Sequence, residues 1–248
     1  MMDATRRAAP GKRVAIIQSA YVPWKGYFDL IRRVDEVILY DDAQFTKRDW
    51  RNRNRIKTAS GPLWLTIPVE VKGKYLQAIK DAKVSDATWK ERHWRTLQTT
   101  YSKAPHYRVY AAALEELYRG CDSNCLSAIN FRFISKFCEL LSIETSITWS
   151  MDYLLSGGRT ERLVTLCQQA GATEYLSGPA ARAYIEPSFF EQAGITLSYM
   201  DYEGYPEYPQ LYPPFDHHVS LIDLLVHTGP EARAHLLPMR AGTLPADI

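Results

Sequence analysis

The sequence predicts an α/β fold, Rossmann-like and doubly wound, with a mainly parallel sheet and a helical insertion around residues 86–141. Three observations lead there. Short apolar runs bounded by polar residues alternate with amphipathic segments, which is the rhythm of βαβ units. Within those runs apolar residues follow one another without polar alternation, as in strands covered on both faces. With 248 residues, 46% of them hydrophobic, the chain can bury one large core.

The elements follow in order. Val14-Ala-Ile-Ile-Gln18 suits a buried parallel strand. A loop punctuated by Pro23 and Gly26 leads into a helix with Phe28, Leu30, Ile31 and Val34 at helical spacing. Val37-Ile-Leu-Tyr40 is the second strand, ending on Asp41-Asp42. Residues 46–57 are basic at almost every second position and show no apolar period, whereas residues 63–71 alternate and predict a strand or hairpin interrupted by Pro68. Residues 86–141 read as two or three helices divided at Pro105 and Gly120. A strand at 145–149, a helix at 159–170 closed by Gly171, and strands at 174–176 and 195–199 resume the α/β rhythm. A Tyr/Pro-rich loop at 202–215 precedes a last helix at 219–227, with Ser220 as its cap. The expected organisation is a single domain over residues 14–229, between a disordered N-terminal tail (1–13) and a C-terminal tail (230–248).

Composition excludes several classes. No apolar run approaches the roughly 20 residues that span a bilayer, so no membrane insertion is expected. The run from Val14 to Ile17 is too short for a secretory h-region, and a cytoplasmic location is expected. A net charge of +2 argues against a general nucleic-acid binder; any basic function must sit in a local patch. Cys121, Cys125, Cys138 and Cys167 read as reduced structural thiols. The six histidines do not supply the closely spaced ligands of a zinc site, and no metal site is expected.

Candidate chemistry begins in the first βα loop, because ligands of open α/β sheets bind beyond the carboxyl ends of the strands. Gln18, Tyr21, Trp24, Gly26 and Tyr27 are the cofactor-binding candidates there. Neither a Walker loop nor G-x-G-x-x-G is present, so Gly26 at a helix entry is the remaining place for backbone N–H groups to approach an anion. Asp41 and Asp42 are candidate catalytic carboxylates, as general base or Mg²⁺ ligand; adjacent strand residues face opposite ways, so one enters the site while the other caps or pairs. Lys47, Arg48, Arg51, Arg53, Arg55 and Lys57 crowd into a dozen residues with Trp50, Asn52 and Asn54 among them and only Asp49 acidic. Such clustering of like charge is costly unless an anion relieves it, and a diphosphate, nucleotide or acidic glycan fits. Lys47 is added to the catalytic candidates; Arg48, Trp50, Arg51, Asn52, Arg53 and Asn54 are substrate-binding candidates. Ser177 and Gly178, at a strand end before a small-residue helix start, and Tyr205 and Gln210 in the aromatic loop complete that set. His217-His218 with Ser220 and Asp223 does not read as a hydrolytic triad, since no nucleophile elbow accompanies it.

These motifs carry a resemblance. Residues 16–31 (Ile-Ile-Gln-Ser-Ala-Tyr-Val-Pro-Trp-Lys-Gly-Tyr-Phe-Asp-Leu-Ile), residues 40–57, Tyr175-Leu-Ser-Gly-Pro179 with Tyr184, and Ser220-Leu-Ile-Asp-Leu-Leu225 resemble the WbqC-like proteins of bacterial polysaccharide and O-antigen gene clusters. The resemblance covers residues 14–229. It implies a transferase that joins an amino-acid acyl group, such as glycine, to an amino sugar, nucleotide-linked, in surface-polysaccharide (O-antigen, lipopolysaccharide) biosynthesis. It supplies no catalytic residues. The expected partner is a nucleotide sugar or other phosphorylated small molecule, not a nucleic acid, with oligomeric state open and a homodimer included. A non-catalytic nucleotide-sugar-binding or scaffold protein of a glycan assembly complex is the alternative. The layout also resembles, more distantly, the nucleotidyl-transferring and adenylate-forming enzymes with a His-x-Gly-His signature, the pantoate–β-alanine ligase type among them. Gly26 matches their motif glycine and Gln44-Phe45 a Gln-Phe pair, while Trp24 and Tyr27 occupy the two histidine places. That likeness implies a divergent nucleotidyltransferase using ATP and Mg²⁺, with Lys47, Arg48 and Arg51 substituting for the histidines; the cofactor itself is left open.

Overall fold

The computed structural model describes residues 11–239. Five strands form one parallel sheet: β1 (Arg13–Ile17), β2 (Glu36–Leu39), β5 (Ser146–Trp149), β6 (Glu174–Ser177) and β7 (Thr196–Tyr199), in the order β5-β2-β1-β6-β7. Val14 lies opposite both Glu36 and Tyr175, so β1 is the central strand. From β1 the chain winds outward through β2 to β5, then returns to the other side of β1 for β6 and β7. This is the doubly wound, Rossmann-like arrangement, and the strand order reverses between β1 and β6.

Period-two geometry divides each strand between two cores. Ala15, Val37, Leu39 and Leu176 face one side, with Phe28, Leu30 and Ile31 of α1 (Lys25–Ile31). Val14, Ile16, Ile38 and Tyr175 face the other, with Leu163, Leu166 and Cys167 of α5 (Arg159–Gln169) and Phe190 of α6 (Pro187–Gln192). The insertion consists of α2 (Trp89–Tyr101), α3 (Tyr107–Arg119) and α4 (Leu126–Leu140), all joined to the first core. The last helix, α7 (Leu221–Thr228), is buried along its whole length, and Ser220 caps it by accepting from the Ile222 amide.

Two expectations change. The basic segment does not remain irregular: its second half is β3 (Arg53–Thr58), paired antiparallel with β4 (Gly61–Thr66) in a separate two-stranded sheet. β4 ends before Pro68, which cannot donate to a ladder. The chain also stays ordered past residue 229. Gly229–His235 forms a 3-10 helix, and the Leu237 and Pro238 carbonyls accept hydrogen bonds from Arg33 at 3.1 and 2.9 Å. The expected tails at residues 1–10 and 240–248 lie outside the described residues.

Candidate functional site

The carboxyl ends of β1 and β6 meet where the strand order reverses, the place where open α/β sheets hold ligands. Gln18 and Ser19 leave β1 there, and Ser177 and Gly178 leave β6. A Cβ built on Gly178 would meet nothing within 4 Å, so the main chain at that strand end is open to approach.

Arg51 brings a guanidinium to this mouth. Its Nη1 donates to the Gln18 and Ser19 carbonyls at 3.2 and 3.4 Å. Its Nε is buried without a hydrogen-bond partner, with an Asp49 carboxylate oxygen 3.8 Å away. Against the cost of burial, the Thr46 hydroxyl and then this guanidinium hold Asp49 below the usual carboxylate range, so Arg51 is a charge beside the strand end whose Nε makes no hydrogen bond of its own. The Tyr27 hydroxyl donates to the Gln18 carbonyl at 3.1 Å; burial pushes its pKa well above the ordinary phenol range, so it stays protonated and a donor.

The two carboxylates lie in the turn that follows β2 and take different partners. Asp41 is wholly buried: one oxygen accepts the Ser19 amide at 2.9 Å and the other accepts the Ser127 hydroxyl. It ties the β1 loop to α4 and has no free edge for substrate. Asp42 pairs with Lys80 and accepts from the Ser150 hydroxyl at 2.7 Å, with 15% of its side chain exposed. Of the two, Asp42 is the carboxylate that solvent or a substrate can reach.

Several candidates are structural instead. Tyr21 is fully enclosed by Trp89, His93, Tyr118 and Phe133, and its hydroxyl lies 2.8 Å from His93 Nδ1 and 2.9 Å from the Tyr118 hydroxyl. It fastens the first loop to the helical insertion and cannot reach a cofactor. Asn52 and Asn54 are buried with their amides donating to main-chain carbonyls: Asn52 to Ile67 at 2.7 Å, Asn54 to Tyr21 and Val22 at 3.2 and 3.0 Å. The Asn54 contact holds Val22 at φ +37°, an unfavourable region for a β-branched residue that stores strain beside the site. Gly26 does not open its backbone to an anion. The Trp24 indole lies where its side chain would be, and α1, at seven residues, is a short helix. Trp24 itself stacks on His218 with ring centroids 6.1 Å apart.

The aromatic loop is likewise turned inward. The Tyr205 hydroxyl donates to Asp29 at 2.7 Å, and Gln210 sits between Lys57 Nζ at 2.7 Å and Asp223 at 2.8 Å. Asp223 also accepts from Tyr101 and Tyr208 at 2.8 and 2.9 Å. Ser177 is buried 3.3 Å from the Tyr175 hydroxyl. Ser220 Oγ accepts the Ile222 amide at the α7 cap, and Asp223 is taken up by Tyr101, Tyr208 and Gln210.

Lys25 is the residue the sequence analysis passed over. Only 2% exposed, its ammonium lies 4.8, 5.3 and 5.7 Å from the ring centroids of Tyr205, Tyr208 and Phe215 and donates to the Pro206 carbonyl at 3.1 Å. Burial lowers its pKa from 10.5 to about 8, against the opposing pull of Asp223, Asp29 and Glu207. Its signal in the sequence is a lone lysine inside an otherwise apolar and aromatic run.

The remaining basic candidates take other partners. Lys47 lies over the Tyr75 ring at 5.3 Å, Arg53 over the Trp64 ring at 4.0 Å, and Trp50 packs on Trp64 at 5.4 Å. Arg48 is exposed at φ +59°. The structure therefore gathers Gln18, Tyr27 and Arg51 at the end of β1, beside Gly178 at the end of β6, with Asp42 in the turn after β2 held by Lys80 and Ser150, while Lys47, Trp50 and Arg53 pack on Tyr75 and Trp64. Two shallow depressions, of about 570 and 600 Å³, run along the edge strands β7 and β5, and neither lining includes a lysine or arginine. Among the described residues no group of three or more His, Cys, Asp or Glu side chains could hold a metal ion, and no helix is long and apolar enough to cross a membrane.

Comparison with known proteins agrees with the motifs. The chain is 48% identical over 225 residues to a Mycobacterium tuberculosis (strain ATCC 25618 / H37Rv) protein described as the uncharacterized protein Rv1507c, covering 91% of this chain and 97% of that protein. No solved structure matches. The model of the WbqC-like protein family matches residues 18–235, and the chain belongs to the WbqC-like protein family.

Proposed function

We propose that this protein is a transferase that forms an amide between an amino-acid acyl group and an amino sugar, nucleotide-linked, in surface-polysaccharide biosynthesis. The observation that carries the reading is Arg51, a guanidinium at the reversal of strand order with a buried Nε left without a hydrogen-bond partner. Its fork suits a diphosphate oxygen, and the open main chain at Gly178 leaves room beside it. The amine nitrogen attacks the activated acyl carbon; a C–N bond forms, the bond to the activating group breaks, and the amine proton passes to a carboxylate. Asp42, the more exposed of the two carboxylates after β2, is the proposed acceptor, and Lys80 beside it would take up the charge change. ATP with Mg²⁺ is one way to activate the acyl group, a thioester another.

A second reading has its own support. Both strand-end carboxylates are engaged, Asp41 by Ser19 and Ser127 and Asp42 by Lys80 and Ser150, which suits a protein that binds a nucleotide sugar without transforming it. A divergent nucleotidyltransferase is less favoured, because Trp24 and Tyr27 are spent on His218 and the Gln18 carbonyl.

Thermal shift across UDP-, GDP- and dTDP-linked amino sugars, ATP and acyl-CoA tests the reading. A nucleotide sugar should raise the melting temperature, and Arg51→Gln should abolish that rise while the unliganded protein stays folded. No shift with any nucleotide sinks the transferase and the nucleotide-sugar-binding readings together; a shift without product in the presence of acyl donor selects binding alone.

A further inference from the structure

The basic segment that turns away from the strand ends has a second half to its surface. Trp50 and Trp64 are 42% and 39% exposed, and Tyr75 and Leu76, at the tip of the turn over residues 72–77, are 71% and 85% exposed. Side-chain contacts tie these groups to the basic segment in two pairs. Lys47 bridges to the Tyr75 ring, Gln44 donates to the Tyr75 carbonyl at 2.8 Å, Trp50 follows three residues after Lys47, and Trp50 packs on Trp64. A leucine and a tyrosine this exposed on a loop tip are not core filling, and isolated exposure is not the pattern here.

Cations surround this apolar strip. Lys47, Arg48, Arg53, Arg55 and Lys72 have no carboxylate partner among the described residues. Arg53 and Arg55 alternate along β3 on the face shared with Trp64, at 4.0 and 5.7 Å from its ring. The acids nearby are engaged: Glu70 pairs with Lys74 at 2.5 Å, and Asp49 accepts from Thr46 and the Trp50 amide.

We propose that this face docks on the surface of an anionic lipid bilayer, with Leu76, Tyr75 and Trp50 entering the headgroup region and the basic residues pairing with lipid phosphates. Charge complementarity selects the occupant. A soluble nucleotide would use the cations but leaves Leu76 and Tyr75 unexplained, whereas an interface wants aromatic and aliphatic tips ringed by Lys and Arg. No span is involved; the contact is peripheral. It stands apart from the Arg51 mouth and does not depend on the reaction proposed there.

Flotation of the full chain with vesicles provides the test. The protein should rise with vesicles of two parts phosphatidylcholine to one part phosphatidylglycerol and not with phosphatidylcholine alone. Arg53→Ala should weaken the partition about fivefold, the worth of one basic residue at an anionic surface. Leu76→Asp should weaken it further, with its melting temperature unchanged because Leu76 is 85% exposed, while Arg53→Ala, which also gives up its stacking on Trp64, is compared at a temperature where both variants are folded. Equal flotation with both vesicle types, no flotation with either, or binding untouched by the two substitutions overturns the proposal. Retention on heparin or single-stranded oligonucleotide without flotation also overturns it and assigns the face to a soluble polyanion.

Discussion

Lys25 offers a quantitative test of the buried site beneath the aromatic loop. The perturbation is Lys25→Met, which keeps an unbranched chain of similar length and removes the titrating group. In the folded protein the ammonium loses a proton near pH 8; unfolded, it holds that proton up to about 10.5. Below pH 8 both states are charged and there is no linkage. Between about 8 and 10.5 the unfolded state binds more protons, so wild-type stability must rise with pH relative to the variant. From pH 7 to pH 9 the folded group passes about one unit beyond its midpoint, worth about 1.4 kcal/mol. Urea unfolding of both proteins at the two pH values, followed by tryptophan fluorescence, gives the double difference, in which the other tyrosines, lysines and cysteines cancel. A double difference near zero would mean that Lys25 titrates like a lysine in water. The same null result would follow if Asp29 and Asp223 outweighed its desolvation, because a folded pKa at or above 10.5 leaves both states protonated at pH 9.

Three further outcomes follow from the same geometry. Burial holds His93 down from 6.5 to about 4, so the unfolded chain binds the extra proton between those values and stability falls as pH drops through them; by pH 5 wild type should lose about 2 kcal/mol relative to His93→Gln in urea unfolding. Gly26→Ala places a methyl against the Trp24 indole, which His218, Tyr202 and Tyr205 confine; it should cost about 1–3 kcal/mol and alter tryptophan emission, and an unchanged melting temperature would show that the ring has room to move. Asp41→Ala leaves the buried Ser19 amide and Ser127 hydroxyl without their acceptor and should destabilise by about 1–3 kcal/mol, measured by thermal unfolding; equal stability would free Asp41 for a catalytic part.

The sheet was legible because its strands are buried on both faces: Val14, Ala15 and Ile16 leave no polar gap, and neither do Val37, Ile38 and Leu39. The first arm of the hairpin, β3, was not, although its period was present and the second arm was expected from the alternation over residues 63–71. Arg51-Asn-Arg-Asn-Arg55 alternates strictly, but the inward partners are Asn52 and Asn54, which satisfy buried carbonyls instead of filling a core. An apolar-period search misses a strand whose buried face is an amide. The density of charge drew attention to one segment, while the fold splits it: Arg51 goes to the strand ends, Arg53 and Arg55 to the outer face. Lys25 was hidden for another reason. Its cage comes from Tyr205, Tyr208 and Phe215, some 180 residues later, and no local spacing encodes that meeting.

The aromatic loop shows what this implies for specificity. Residues 201–218 have little regular structure, yet Tyr205 and Tyr208 are buried and their hydroxyls end on Asp29 and Asp223. Asp223 lies on α7, Tyr101 on α2 and Lys57 on β3, so the loop, the insertion and the hairpin converge on one carboxylate through Tyr101, Tyr208 and Gln210. Removing any one partner leaves a charge buried without its full set of donors, which is why such a network holds a loop that has few ladder hydrogen bonds of its own. Rings committed in this way cannot also offer their polar tips to a sugar. Under the proposed function, recognition at the strand ends would fall to the Gln18 side chain, the Arg51 guanidinium and the main chain at Gly178, with Asp42 in the turn after β2 as the more exposed carboxylate.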